Sequence, residues 1–170
     1  RSDMIMEVHK MELKTVKVAI PDGVNVIIGQ AHFIKTVEDI YEMAATTCPG
    51  CKFGIAFAEA SGECLIRHDG NESGMEDFAV ETCMAIGAGH AFIICMKEGY
   101  PISMLNALKG IHEVCNVFCA TANPLEVVIA ESETGRGILG VIDGSYPKGV
   151  EGDAERAQRI AFLRRIGYKR

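Results

Sequence analysis

The sequence predicts a single α/β domain in which helices pack on a mixed β-sheet, with an α+β arrangement as the alternative. Strand-like and helix-like segments alternate along its 170 residues. Three pairs of strands have hairpin-like connections, which require antiparallel neighbours. A hydrophobic content of 48% is enough for one core. We expect the domain to span 12–170, after a disordered or expression-derived extension at 1–11.

The first half of the chain is expected to contain four strands and a helix. Residues 13–20 alternate like a strand, a Pro-Asp-Gly turn follows, and 24–29 return as a second strand. From Thr36, the predicted N-cap, apolar residues recur at helical spacing. Residues 53–60 and 63–68 should pair as a hairpin across a Ser-Gly turn.

The second half begins with a helix that should end at a Gly-Ala-Gly turn, because glycine favours the left-handed helix cap. Residues 91–96 are apolar throughout, which is typical of a central strand covered on both faces. The remaining expected elements are a helix from Pro101 to Lys109, strands at 114–121, 126–132 and 138–143, and a helix at 153–166.

Charge and hydropathy exclude several classes of function. The formal net charge of −6 disfavours bulk nucleic-acid binding, which needs Lys and Arg to neutralise phosphates. No apolar run approaches the ~20 residues that span a bilayer, and no signal peptide is recognisable, so we expect a cytoplasmic protein. Residues 151–170 hold six basic and three acidic residues, or +3, which leaves −9 elsewhere. This segment predicts a solvated basic helix or, alternatively, a contact with a partner subunit or an anionic ligand.

Cys48 and Cys51 flank a Pro-Gly pair, and this spacing fits a redox dithiol or half of a zinc site. A second pair at matching spacing is missing from the sequence. The motif also ends a helix and opens a strand, whereas a thioredoxin-like dithiol follows a strand and opens a helix. We interpret it as a helix stop, with a redox or zinc module as the weaker alternative.

Four short motifs carry the side chains suited to phosphate chemistry. They are Arg-His-Asp-Gly-Asn at 67–71, Gly-Ala-Gly-His at 87–90, Ala-Thr-Ala-Asn-Pro at 120–124 and Gly-Arg-Gly at 135–137. His68 could act as base, acid or nucleophile, and Arg67 could hold a phosphate through two hydrogen bonds. An ordinary Asp-Gly turn after a surface histidine explains the first motif equally well.

The other motifs also have a functional and a structural interpretation. Gly87 and Gly89 could form an anion nest beside His90, or they could simply cap a helix. Thr121 and Asn123 follow the carboxyl end of a strand, where ligands bind in open α/β sheets. The remaining candidates are Arg136 in a hairpin turn, Asp143 at a strand end, and Glu59, a carboxylate that ends an apolar strand.

The segments 48–57, 67–71, 86–90, 117–124 and 135–144 together resemble the adenosine-specific kinase family. This resemblance implies that the protein binds adenosine and its phosphates and carries a phosphoryl group on a histidine. It further implies ATP as donor, Mg²⁺ as helper, and a homo-oligomer, expected to be a trimer. An adenosine-specific kinase is therefore the favoured function. A non-catalytic adenine-nucleotide sensor is the alternative, because no P-loop or protein-kinase motif set is present.

The same resemblance assigns expected roles to individual residues. His68 and His90 are the candidates for the phosphorylated histidine, and His68 is preferred, with Asp69 beside it as a second catalytic residue. The expected nucleotide-binding residues are Arg67, Asn71, Gly87, Gly89, His90, Thr121, Asn123 and Arg136. Asp69 and Asp143 are the candidate metal ligands. The physiological phosphate acceptor, the metal and the strand order stay open.

Overall fold

The computed structural model describes residues 10–169, so most of the extension expected at 1–11 lies outside the described residues. Eight strands and four α-helices lie within this range. The strands are β1 (Glu12–Val18), β2 (Asn25–Ala31), β3 (Lys52–Ala58), β4 (Ile66–Gly70), β5 (Ala91–Lys97), β6 (Val114–Thr121), β7 (Leu125–Glu131) and β8 (Arg136–Asp143). The helices are α1 (Thr36–Thr47), α2 (Ser73–Ile86), α3 (Leu105–Lys109) and α4 (Asp153–Arg165), and a short 3₁₀ helix at Pro101–Ser103 precedes α3.

The strands form two sheets, and every pairing is antiparallel. One sheet has five strands in the order β4-β3-β5-β2-β6, and the other has three in the order β1-β7-β8. The layered domain of strands and helices is confirmed, and its antiparallel pairing corresponds to the α+β alternative. The apolar segment at 91–96 forms β5, the central strand of the larger sheet, as predicted.

The prediction that the first two strands pair as a hairpin is wrong. The turn through Gly23 (φ +76°) is present, but it redirects the chain from one sheet to the other. Val16 on β1 pairs with Val127 on β7, whereas β2 lies between β5 and β6. A tight turn therefore does not join paired strands here, because the partner of β1 lies far along the sequence.

The five-stranded sheet separates two hydrophobic cores. On one face α1 and α3 cover Ile55, Phe92 and Ile94. On the other face α2 and the three-stranded sheet enclose residues such as Ile93. Glycine at 54 allows α2 to cross β3 closely, because a Cβ there would lie 2.1 Å from the backbone nitrogen of Glu76.

The helix ends agree only partly with the sequence. Lys35, not Thr36, is the N-cap of α1, because the Thr36 hydroxyl donates backwards to the Phe33 carbonyl. The Pro-Gly turn between Cys48 and Cys51 does separate α1 from β3, as predicted. The helix expected from Pro101 to Lys109 is broken into the 3₁₀ helix and α3. Across residues 10–169, no helix is long and apolar enough to cross a membrane.

Candidate functional site

Two adjoining cavities form a cleft beside the β3–β4 hairpin. The larger, of about 650 Å³, lies between this hairpin, the end of α2 and the β7–β8 turn. The smaller, of about 460 Å³, lies between the hairpin and the residues that follow β2. Glu59 and Cys64 line both cavities. Both volumes lie within the range of ligand-binding pockets.

Glu59 is the central charged residue of the cleft. Its Oε2 accepts a hydrogen bond from Arg67 Nε at 3.2 Å, and its Oε1 accepts bonds from Ala60 N at 3.2 Å and Ser61 Oγ at 3.3 Å. Burial alone would raise the pKa of this carboxyl, but the bonds from Arg67, Ala60 and Ser61 outweigh it and hold the pKa below its ordinary value. Glu59 is therefore an ionised carboxylate at neutral pH.

His90 faces Glu59 from the start of β5. Its Nε2 lies 3.7 Å from Glu59 Oε1, and its ring stacks on the buried Phe57 with centroids 5.7 Å apart. The His90 backbone adopts φ +62°, which is uncommon for a residue with a side chain, and its N–H donates to the Ala58 carbonyl at 2.7 Å. Strained backbone that its surroundings hold in place is concentrated at functional sites.

Arg136 and Gly87 form the far wall of the larger cavity. Gly87 ends α2 with φ +61°, so the predicted glycine cap is confirmed. Arg136 Nη1 donates to the carbonyls of Ala85 and Ile86, both at 3.3 Å, and its Nε pairs with Glu131. The guanidinium thus stabilises the helix end and lines the cavity at the same time.

Six of the sequence-predicted residues line the cleft, namely Glu59, Arg67, Gly87, Gly89, His90 and Arg136. His68 is not among the residues that line either cavity. It alternates with Arg67 along β4, so it points to the opposite face of the sheet, where its Nδ1 lies 2.6 Å from Glu76 Oε1. A carboxylate therefore orients His68 as well, but outside the cleft.

Asp69 and Asn71 make local hydrogen bonds. Asp69 Oδ1 accepts from Gly70 N at 2.7 Å. Asn71 Oδ1 accepts from Phe53 N at 2.8 Å, and its Nδ2 donates to the Cys51 carbonyl at 2.9 Å. These bonds of Asn71 fasten the end of β4 to the start of β3. Its amide is therefore already occupied in holding the edge of the sheet.

Thr121, Asn123 and Asp143 form a separate group, which we call the Asp143 cluster. Asp143 Oδ1 accepts from Thr121 Oγ1 at 2.7 Å and from Asn123 Nδ2 at 3.0 Å. Arg136 and Asp143 lie at opposite ends of the eight-residue strand β8, or about 24 Å apart at the usual rise per residue. Within one copy of the chain, this cluster therefore lies away from the cleft.

The two metal candidates do not fit a shared site. Asp69 lies on the edge strand β4, whereas Asp143 bonds to Thr121 of β6 at the opposite edge. Four strand spacings separate these edges, or about 19 Å. Among residues 10–169, no group of three His, Cys, Asp or Glu side chains could hold a metal ion.

Cys48 and Cys51 lie side by side against Gly99. A Cβ on Gly99 would lie 2.7 Å from Cys48 Sγ and 3.2 Å from Cys51 Sγ. Burial, with a further contribution from Cys48, raises the pKa of Cys51 to about 12. A high pKa opposes the thiolate that metal binding and thiol exchange require. These contacts support the interpretation of the motif as a structural turn.

Several residues that line the cleft had no role assigned from the sequence, among them Cys64, His32 and Phe33. Cys64 is exposed, with φ +51°, at the turn of the β3–β4 hairpin. His32 and Phe33 follow β2 and reach the smaller cavity from outside the four motifs. The sequence signals for the smaller cavity were Glu59, which ends an apolar strand, and the motif residues Arg67 and His90.

Comparison with known proteins identifies the family of the chain. The profile of the family described as "Adenosine specific kinase" matches residues 16–169. The crystal structure of PH1918 protein from Pyrococcus horikoshii OT3 is similar, with 40% sequence identity and a TM-score of 0.90, over 95% of this chain and 99% of that chain. No curated protein matches the chain significantly. Because the family profile covers nearly the whole sequence, the chain belongs to the adenosine-specific kinase family.

Proposed function

We propose that the protein binds adenosine and its phosphates in the cleft and transfers a phosphoryl group from ATP by way of a histidine. The observation that carries this proposal is the position of His90. Its backbone has φ +62°, its ring is stacked on Phe57, and at the wall of the smaller cavity its Nε2 lies 3.7 Å from Glu59, which also binds Arg67. A nucleophile held in one orientation beside a cation is what phosphoryl transfer requires.

The geometry favours His90 over His68 as the phosphorylated residue. His90 and Arg67 line the smaller cavity, whereas His68 contacts Glu76 and lines neither cavity. The neutral imidazole of His90 would attack the terminal phosphorus of ATP, and ADP would leave. Arg67 would neutralise the phosphoryl oxygens, and the Glu59 carboxylate would stabilise the imidazolium that forms.

The larger cavity supports a nucleotide as the ligand. Its volume of about 650 Å³ is sufficient, and its walls combine apolar residues such as Ala58 and Ile66 with the cationic Arg136. Mg²⁺ would assist charge neutralisation on the nucleotide phosphates, but Asp69 and Asp143 do not provide a shared site for it. By resemblance we further propose a cytoplasmic homo-oligomer, expected to be a trimer.

One labelling experiment separates the kinase from the nucleotide sensor. The purified protein is incubated with Mg²⁺ and γ-labelled ATP, with and without adenosine, and the label is followed on the protein and in AMP. The kinase predicts acid-labile label on the protein that adenosine removes as labelled AMP. Tight ATP binding without label on protein or AMP would overturn the proposal in favour of the sensor.

A further inference from the structure

Glu113 is a buried carboxylate in the turn between α3 and β6, and only 3% of the residue is exposed. Its Oε1 lies 2.7 Å from Lys35 Nζ, whereas its buried Oε2 has no hydrogen-bond partner among residues 10–169. The bond from Lys35 outweighs burial and holds the pKa of Glu113 below its ordinary value. The fold therefore keeps an ionised carboxylate, with one unpaired oxygen, in its interior at neutral pH.

Stability alone does not explain this carboxylate. A carboxylate taken out of water loses solvation that one ion pair does not fully return, so such a pair contributes little compared with apolar packing. The unpaired oxygen adds a further cost, because a buried acceptor without a donor has lost its bonds to water. The role of Glu113 follows instead from the part of the chain that it holds.

Glu113 holds both ends of residues 32–35, which connect β2 to α1 and which we call the wall segment. At the start of the segment, the Glu113 backbone carbonyl accepts from His32 N at 3.1 Å. At its end, the Glu113 side chain pairs with Lys35, the N-cap of α1. Three residues of the wall segment line the smaller cavity, namely His32, Phe33 and Ile34. One buried residue thus fixes the wall of that cavity without lining it.

The wall segment is also joined to the backbone of His90. Ala31, which precedes the segment at the end of β2, donates its N–H to the His90 carbonyl at 3.0 Å. The position of the wall relative to the His90 imidazole is therefore set by this bond on one side and by Glu113 on the other. A change at Glu113 should alter the smaller cavity and leave the larger one unchanged.

The two cavities suit different parts of a nucleotide. His90 and Arg67 line the smaller cavity and are not among the residues that line the larger one. A terminal phosphate attacked by His90 therefore lies in the smaller cavity, which leaves the larger cavity, with apolar walls such as Ile66, for the nucleoside. This assignment rests on the proposed function. It places the wall segment beside the phosphates.

We propose that Glu113 is a positioning residue for phosphoryl transfer. It touches neither the nucleotide nor His90, but through His32 and Lys35 it holds the wall segment against the phosphates of ATP. Loss of its charge frees the Lys35 end of the segment and loosens this wall. The affinity for ATP then falls, whereas adenosine, which has no phosphates, binds as before.

The test compares wild type with Glu113→Gln, which keeps the size of the side chain and removes its charge. Calorimetry measures the binding of adenosine and of an ATP analogue whose terminal phosphate cannot be transferred. We expect the Kd of the analogue to rise by about 10-fold and that of adenosine to stay within about 2-fold. In labelling with γ-labelled ATP, the KM for ATP should rise while the maximal rate is kept, because binding is lost rather than chemistry.

Asp39→Asn is the matched control, because Asp39 is the second carboxylate that pairs with Lys35. It lies on α1, and its side chain is 30% exposed. The control removes the same charge from the same lysine but leaves Glu113 in place, so the analogue should bind normally. Lys35→Met should weaken the analogue as Glu113→Gln does, and the double variant should be no weaker, because both changes break one contact.

Three results would overturn the role of Glu113. They are unchanged binding of the analogue in folded Glu113→Gln, equal weakening of the analogue and adenosine, and a lower maximal labelling rate at unchanged KM, which a purely structural role predicts. The proposed function fails separately, if wild type binds the analogue but acquires no label from ATP. The analogue titration then still decides whether Glu113 holds the wall beside the phosphates.

Discussion

The cleft and the Asp143 cluster are both rich in polar side chains, but they differ in what those side chains contact. In the Asp143 cluster, the carboxylate accepts bonds from Thr121 and Asn123 and joins two strand ends. In the cleft, His90 and Arg67 lie on the wall of an open cavity, and the His90 backbone is strained. The comparison shows that a group of polar residues does not by itself indicate a ligand-binding site. The polar side chains must also line an open cavity.

The largest expected effect is on phosphoryl transfer in the Arg67→Ala variant. Removing the guanidinium leaves the developing phosphoryl charge without its cation, and the labelling rate should fall by about 100-fold. Lys52→Ala, which breaks an exposed pair with Glu98 outside the cleft, is the control and should label normally. A normal labelling rate in Arg67→Ala would remove Arg67 from the mechanism.

The next effect is on stability at the Asp143 cluster. Asp143→Ala leaves the Thr121 hydroxyl, on a residue only 6% exposed, without its acceptor. The free energy of unfolding should fall by about 1–2 kcal/mol, measured by urea denaturation, with the labelling rate per folded molecule unchanged. A large loss of labelling in the folded variant would assign the cluster to the functional site instead.

Two glycines offer a matched pair across the two regions. Gly87 and Gly144 both have positive φ, and a Cβ would lie 3.2 Å from Arg136 Nη1 in the first and 3.3 Å from Asn123 Nδ2 in the second. Each change to Ala should lower the free energy of unfolding by about 1 kcal/mol, because the left-handed conformation disfavours a side chain. Only Gly87→Ala should also weaken adenosine binding, measured by calorimetry. Equal weakening in both variants would contradict the distinction.

The smallest expected effect is the pH dependence of stability at Glu59. Its pKa is lower in the folded protein than the ordinary value of 4.5, so its ionised form stabilises the fold above that pH. This contribution is lost as the pH falls through the folded pKa. The difference in unfolding free energy between wild type and Glu59→Gln should therefore be largest near pH 7 and shrink below about pH 4.5. A constant difference would show that the carboxylate charge is unimportant.

Local signals in the sequence predicted much of the fold. The continuous apolar segment at 91–96 became the central strand, and the glycine after Ile86 ended α2. The pairing of β1 with β7 could not be predicted, because it joins segments more than 100 residues apart and their alternation fits several partners. Helix α4 was predicted, but its lack of core contacts was not.

The candidate site was predictable in part. Arg67, Gly87, Gly89, His90 and Arg136 line the cleft as the motifs suggested. Thr121 and Asn123 were expected in the cleft by a rule for parallel sheets, in which the carboxyl ends of all strands lie at the same end of the sheet. In these antiparallel sheets neighbouring strands run in opposite directions, so their carboxyl ends lie at opposite ends of the sheet. The rule therefore does not apply. The preference for His68 stays a prediction, and His68 lines neither cavity.

The most direct test of the distinction between the cleft and the rest of the fold is the location of the phosphoryl group. After incubation with ATP and Mg²⁺, the protein is digested at neutral pH and its phosphopeptides are sequenced by mass spectrometry. The account predicts phosphate on His90, retained in His68→Ala and lost in His90→Ala. Phosphate on His68, retained in folded His90→Ala, would contradict it and move the chemistry away from the cleft.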